Sequence, residues 1–137
     1  MAAADLAKRL PRNHWTILDV VRDVPPGTHL TAQDVFDGAR RRQPKIGFAT
    51  VHRGLARLHE IGLVVKVDVP GAASAVFEPA SPPHAHFRCT GCGSIRDVAF
   101  TLPPELVAAL AVAHGLEIAG EHTTFAGRCA KCASSQP

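Results

Sequence analysis

Two identically spaced cysteine pairs, Cys89-Thr-Gly-Cys92 and Cys129-Ala-Lys-Cys132, constrain this chain more than any other feature. Each Cys-x-x-Cys forms a tight knuckle whose two sulfurs point at one centre. Four thiolates around one ion make a closed tetrahedron that suits zinc and leaves no open position, so the expected role is structural. The pairs are separated by 36 residues, wider than in a zinc ribbon, and the expected ion staples the end of the chain to a distant segment. The competing readings are a redox pair or coincidence, and in a reducing compartment two matched pairs are more naturally metal ligands than disulfides. The opening "MAAADLAKRLPRNHW" meets charge and proline before any apolar stretch develops, so no secretory signal is read and the expected compartment is the cytoplasm, where thiols stay reduced. No apolar run is long enough for a membrane span, and no membrane partner is expected.

At 137 residues the chain has room for one ordinary domain or two small ones. Its net charge of +3 is unevenly spread: residues 1–70 carry 11 Lys+Arg against 7 Asp+Glu, and residues 71–137 carry 4 against 5. A basic first half is compatible with a polyanionic partner.

The pattern along the chain is α+β. In "RNHWTILDVVRDV", Trp15, Leu18, Val21 and Ile17, Val20, Val24 recur at helical spacing until Pro25-Pro26-Gly27 ends the run. Thr31 is placed to cap a second helix, "AQDVFDGARRRQ", with Asp34 at the capping-box position. "FATVHRGLARLHEIGLV" predicts a third, with Phe48, Val51, Leu55 and Leu58 on one face, Thr50, Arg53 and Arg57 on another, and Gly62 at its end. "LVVKVDV" and "AVFEP", joined through Pro70-Gly71, predict a hairpin. Three short helices and a hairpin describe a winged helix-turn-helix whose third helix faces a DNA groove, or else a helical domain capped by a hairpin. After the proline-rich "SPPHA", the segments "AHFRC" and "SIRDVAF" predict strands, "PPELVAALAVAHG" a helix and "LEIAGEHTTFAGRC" a further strand. A small α/β unit with exposed sheet edges has too little core of its own, which predicts pairing with a second copy.

A second cluster of potential ligands overlaps the first. His84 and His86 are two apart, so an extended strand puts both imidazoles on one face. Glu78 at the end of the hairpin, Asp97 on the following strand and His29 before the second helix are the nearby candidates. Imidazoles with carboxylates suit iron, manganese or zinc in an open, exchangeable geometry, unlike the sulfur cage. Two metal sites are therefore expected.

Together, "GFATVHRGLARLHEIGLV", "HAHFRCTGCG" and "EHTTFAGRCAKC" resemble, in order and spacing, the recognition helix, the His-x-His with Cys-x-x-Cys, and the closing His with Cys-x-x-Cys of the ferric uptake regulator family of bacterial metal-responsive repressors. The resemblance covers nearly the whole chain. It implies an N-terminal winged helix-turn-helix DNA-binding domain over residues 1–79, a hinge over 80–83 and a small C-terminal α/β dimerisation domain over 84–137. It implies a regulatory metal site made of His29, Glu78, His84, His86 and Asp97, beside the structural zinc of Cys89, Cys92, Cys129 and Cys132. It further implies that His52 and Arg53 face the groove, that Thr50 and Arg57 meet phosphates, and that a homodimer reads a palindromic double-stranded operator.

Departures from the family pattern are informative. Tyrosine is usual where His52 stands, and a further metal site of some members would fall on Pro83, Ala85, Glu105 and His122, where proline and alanine cannot ligate. The zinc-sensing branch typically adds a cysteine, and all four here are already assigned. Peroxide sensors generally carry aspartate where Glu78 stands, which points to ferrous iron as the regulatory metal, with peroxide, manganese and zinc sensing as alternatives. Two other classes fit the residues less well: a hydrolase using His84, His86 and Glu78 around an open metal, and a structural zinc module that binds protein partners.

Overall fold

Pro11 and Thr31 set where the first two helices begin. The computed structural model describes residue 5 and residues 8–134, and the chain divides between Ser81 and Pro82 into two units. In the first unit, extended Pro11 precedes α1 (Arg12–Arg22). Thr31 caps α2 (Ala32–Arg42): its hydroxyl accepts the Asp34 N–H at 3.1 Å while its own N–H donates to the Asp34 carboxylate at 3.0 Å. Aspartate thus closes the capping box in place of the usual glutamate. Helix α3 spans Phe48–Glu60 and stops ahead of Gly62, whose φ of +81° a side chain would strain.

The three helices pack around Ile17, Leu18, Val21, Val35, Val51, Leu55 and Leu58, all buried, each worth about 1.5–3 kcal/mol of transfer free energy for the larger side chains. Gly54 lets α1 and α3 approach: a Cβ there would lie 2.3 Å from the Ile17 Cδ1. Phe48 departs from the expected apolar face and is 42% exposed. It opens the helix beyond the edge of the core, and buried Ile46, just ahead of α3, fills that edge instead.

Strands β2 (Val64–Val67) and β3 (Val76–Pro79) form the expected antiparallel hairpin. A two-residue strand that the sequence did not announce, β1 (Leu30–Thr31), pairs with the other edge of β3, giving the order β1-β3-β2. Leu30 lies opposite Phe77, so continuing the register by one residue sets His29 against Glu78. A helix-turn-helix backed by a three-stranded wing results.

The second unit is built on β4 (Ala85–Cys89), flanked by antiparallel β5 (Ile95–Val98) and parallel β6 (Thr124–Gly127). Between them α4 (Pro104–His114) starts on proline and ends at Gly115, which takes the left-handed cap at φ +63°. The strand expected over "LEIAGEHTTFAGRC" shrinks to its last part because β4 offers only His86 to Cys89 as partners, opposite Thr124 to Gly127. A short helix that the sequence did not suggest, α5 (Ala130–Ser134), carries Cys132. No residue of α4 is buried, and Leu106, Leu110, Val112, Leu116, Phe100 and Phe125 are exposed. An apolar surface of that extent on so small a unit is what a second copy would cover. Among the described residues no helix is long and apolar enough to cross a membrane.

Candidate metal centres and DNA-facing helix

The turn after β4 and the start of α5 bring the four cysteines together. Their sulfurs all lie within 4.8 Å of one another, with Cys92 and Cys129 Sγ at 3.9 Å. A tetrahedron with metal–sulfur bonds of about 2.3 Å has edges of about 3.8 Å, so the donor set fits zinc. The first knuckle is closed by Gly93, with φ +75°, whose N–H donates to Cys89 O at 2.9 Å, and by the Cys92 N–H, 3.4 Å from Cys89 Sγ. The Cys129 N–H reaches the same sulfur, also at 3.4 Å.

These contacts set the ionisation of the metal-free cluster. The backbone N–H of Cys129, then that of Cys92, holds the Cys89 thiol down to about 5. The Ser94 hydroxyl, hydrogen-bonded to Cys92 Sγ at 3.2 Å, is the main cause of a lowered Cys92. Cys132 is pushed up to about 12, first by its contact with Cys89 and then by Cys129. One negative charge is easily held among these sulfurs and further ones are resisted, as expected where four thiols crowd one point without a cation.

Sequence reasoning passed over Gly91. A Cβ there would lie 2.8 Å from Cys132 Sγ and 2.9 Å from Cys132 Cβ, so the knuckle closes over the sulfur only because this residue has no side chain. Gly91→Ala is expected to weaken zinc retention about 10–100-fold in a chelator competition, the range found when groups supporting a metal site are disturbed. Unchanged retention would mean that the knuckle opens at little cost.

The imidazole and carboxylate candidates fall into two sets, one in each unit. In the first unit, the β1–β3 register sets His29 Nε2 at 3.2 Å from Glu78 Oε2, with both side chains nearly fully buried. Burying a carboxylate requires a partner. Nothing in the sequence announces β1, and so nothing there says why these two meet.

In the second unit, His84 precedes β4, His86 lies on it, and Asp97 on β5 is opposite His86. The imidazole centroids are 4.7 Å apart, and both Nε2 atoms lie 3.4 Å from the single oxygen Asp97 Oδ1. Donors held at about 2.1 Å around an ion are themselves about 3.0–3.4 Å apart, so each imidazole stands at ligand spacing from the Asp97 carboxylate. His84 Nδ1 lies 2.9 Å from the Pro82 carbonyl. A carbonyl only accepts, so Nδ1 carries the proton and Nε2 keeps the lone pair that a metal needs.

The remaining candidates line the outer face of α3. Thr50 is half-buried, while His52, Arg53 and Arg57 are exposed. Arg53 Nη2 donates to Thr50 Oγ1 at 3.4 Å, and Arg57 pairs with Glu60 at 3.2 Å. An exposed pair of this kind contributes little to stability, so Arg57 can be drawn to another anion at small cost.

Comparisons with known proteins agree with this geometry. The ferric uptake regulator family model matches residues 7–125. The ferric uptake regulation protein of Bacillus subtilis is 30% identical over 107 residues, which cover 76% of this chain and 72% of that protein. The peroxide stress regulator of Campylobacter jejuni superposes with a TM-score of 0.72 at 25% identity, covering 94% of this chain and 97% of its own. A zinc uptake regulator complexed with zinc and DNA shares the fold, with a TM-score of 0.67 at 23% identity over 96% of this chain and 93% of its own. With paired cysteines, two imidazole–carboxylate sets and a winged helix-turn-helix now joined by a family match over most of its length, the chain belongs to the ferric uptake regulator family of metal-responsive, DNA-binding transcription regulators.

Proposed function

We propose that this chain is a cytoplasmic, ferrous-iron-responsive repressor that binds a palindromic operator as a homodimer. The observation that carries the proposal is the division of the imidazole–carboxylate ligands into two ready sets, His29 with Glu78 in one unit and His84, His86 and Asp97 in the other. Glu78 and His84 are only six residues apart in sequence and flank the division of the chain at Ser81 and Pro82. Residues 1–79 are read as the DNA-binding domain, 80–83 as the hinge and 84–137 as the dimerisation domain.

A divalent ion held by both sets at once would supply the coordination bonds that fix the two domains at one angle. The chain's own residues do the rest. The Pro82 carbonyl keeps His84 in the tautomer that presents Nε2, and β4–β5 pairing aims His86 and Asp97 at the same point. On the other side β1 holds His29 beside Glu78. Because the DNA-competent arrangement is favoured only by differential affinity, ligands drawn from both domains are what a sensor requires. Cys89, Cys92, Cys129 and Cys132 hold the separate structural zinc. On α3, His52 and Arg53 face the groove, where arginine can bond bidentately to guanine, and Thr50 and Arg57 meet phosphates. Family membership displaces the hydrolase reading, since members are regulators rather than enzymes.

Operator binding, titrated separately with ferrous iron, manganese and zinc on protein whose thiolate site is already filled, tests the proposal. Ferrous iron is expected to give tight binding at the lowest free concentration that the cell would supply, and manganese to substitute at higher concentration. Activation by zinc alone, or operator binding equally tight after the regulatory ion is stripped, would overturn it. Peroxide sensing, the second reading favoured by the Campylobacter likeness, predicts that the iron-loaded form loses its operator irreversibly on brief exposure to hydrogen peroxide while the manganese-loaded form does not.

A further inference from the structure

We infer that Phe48 is a specificity-determining residue that reads a thymine methyl in the operator. The inference rests on the DNA-binding reading above and concerns a residue outside the four assigned to that interface. Phe48 opens α3 and is 42% exposed, an expensive place for a phenyl ring that lies outside the core cluster. Its helix face also carries exposed Ala49, His52, Arg53, Ala56 and Arg57. That mixture of small apolar, aromatic and cationic side chains is poorly suited to a face that is merely solvated. It is well suited to a major groove, where guanidinium groups meet guanine edges or phosphates and apolar side chains meet the one apolar group that base edges offer, the C5 methyl of thymine.

The ring is also held in place. Phe36 of α2 packs edge-on behind it at 5.2 Å and an interplanar angle of 90°, and the Arg40 guanidinium lies 5.5 Å from the Phe36 ring centre. On the other side the His52 imidazole, one turn along α3, is 4.4 Å away at 68°. Ring contacts with Phe36 and His52 restrict the exposed phenyl, so less further ordering is needed when a ligand arrives. Phe48 and His52 thus form one apolar step at the start of the helix, beside Arg53. The half-site should carry a thymine adjoining the base that Arg53 reads, its methyl seated on the phenyl ring.

The metal-loaded full-length protein is first used to select its operator from a pool of random duplexes. Each thymine of the selected half-site is then replaced by deoxyuridine, which removes only the methyl. One symmetric pair of thymines is expected to matter: about fourfold in affinity for one methyl and about fifteenfold for both, the effect of leaving one or two methyl groups unburied. Phe48→Ala should bind the thymine and deoxyuridine operators equally, and Phe48→Leu should keep part of the discrimination. Circular dichroism melting of each variant checks that the fold is intact. The inference is overturned if the wild type ignores the loss of every methyl, or if the preference survives in Phe48→Ala. Metal-dependent binding by Phe48→Ala that merely lacks the methyl preference supports the inference; absence of metal-dependent binding in the wild type would instead sink the reading beneath it.

Discussion

Cys132→Ser is expected to abolish zinc binding and unfold the second unit, taking dimerisation with it. The magnitude follows from how little else holds that unit together. Among its described residues only Ala85, His86, Cys89 and Cys129 are buried, and two of these four belong to the cysteine cluster. Helix α4 buries no residue within the chain, and β6 is joined to β4 by a four-residue parallel pairing. Apparent binding free energies of structural zinc sites are about 10–16 kcal/mol near neutral pH, and this is folding free energy wherever the site does not exist in the unfolded chain. Domain stabilities are of order 5–15 kcal/mol, so the remaining contacts cannot compensate. Serine also leaves an uncharged hydroxyl facing Cys89, Cys92 and Cys129, a poor fourth donor for zinc. The checks are zinc content by elemental mass spectrometry, thermal melting and size-exclusion chromatography. A zinc-free variant that remains a dimer with wild-type melting would show that the cysteines do not staple the fold.

How local a feature is decides how much of it can be read from the sequence. The Cys-x-x-Cys knuckles are local, with spacing and turn chemistry in four consecutive residues, and so they are visible as text. Helix boundaries were equally accessible, because Thr31 with Asp34, Pro104 and Gly115 act through near neighbours. Strand β1 was not. Two residues, Leu30 and Thr31, have no periodicity to detect, and the strand they pair with, β3, lies more than forty residues away. That pairing is what sets His29 against Glu78, so the sequence offered both residues as candidates without any reason for them to meet. Gly91 was missed for a related cause: its importance lies in the approach of Cys132, which is remote in the chain. Phe48 shares a helical face with Val51, Leu55 and Leu58 and is nonetheless exposed, because helical periodicity says which residues share a side and nothing about where the core ends.

Replacing both His84 and His86 with alanine is expected to produce the opposite phenotype to Cys132→Ser: a zinc-loaded, folded dimer that has lost the response to the regulatory metal. Both imidazole Nε2 atoms lie 3.4 Å from Asp97 Oδ1, and none of these atoms takes part in the hydrogen bonds around Cys89. The double variant removes two of the second unit's three donors, and a lone half-exposed carboxylate binds a divalent ion weakly. Coupling free energies between an effector site and a distant ligand site are typically 1–3 kcal/mol, so operator affinity in the presence of metal should fall about 5–150-fold, to the level of the metal-free wild type. His114→Ala, at the exposed end of α4, serves as a control that should change nothing. Asp97→Asn separates charge from position: the amide keeps the side chain's shape beside both imidazoles, yet it contributes no anionic ligand, and its metal response should be intermediate. Two outcomes would count against a sensing role. Wild-type operator affinity in the double variant would remove the histidines from the response, and loss of the zinc or of the dimer would mean that they support the fold. Because one substitution set should take away the structure and the other only the response, the two experiments together separate a metal that builds the protein from a metal that instructs it.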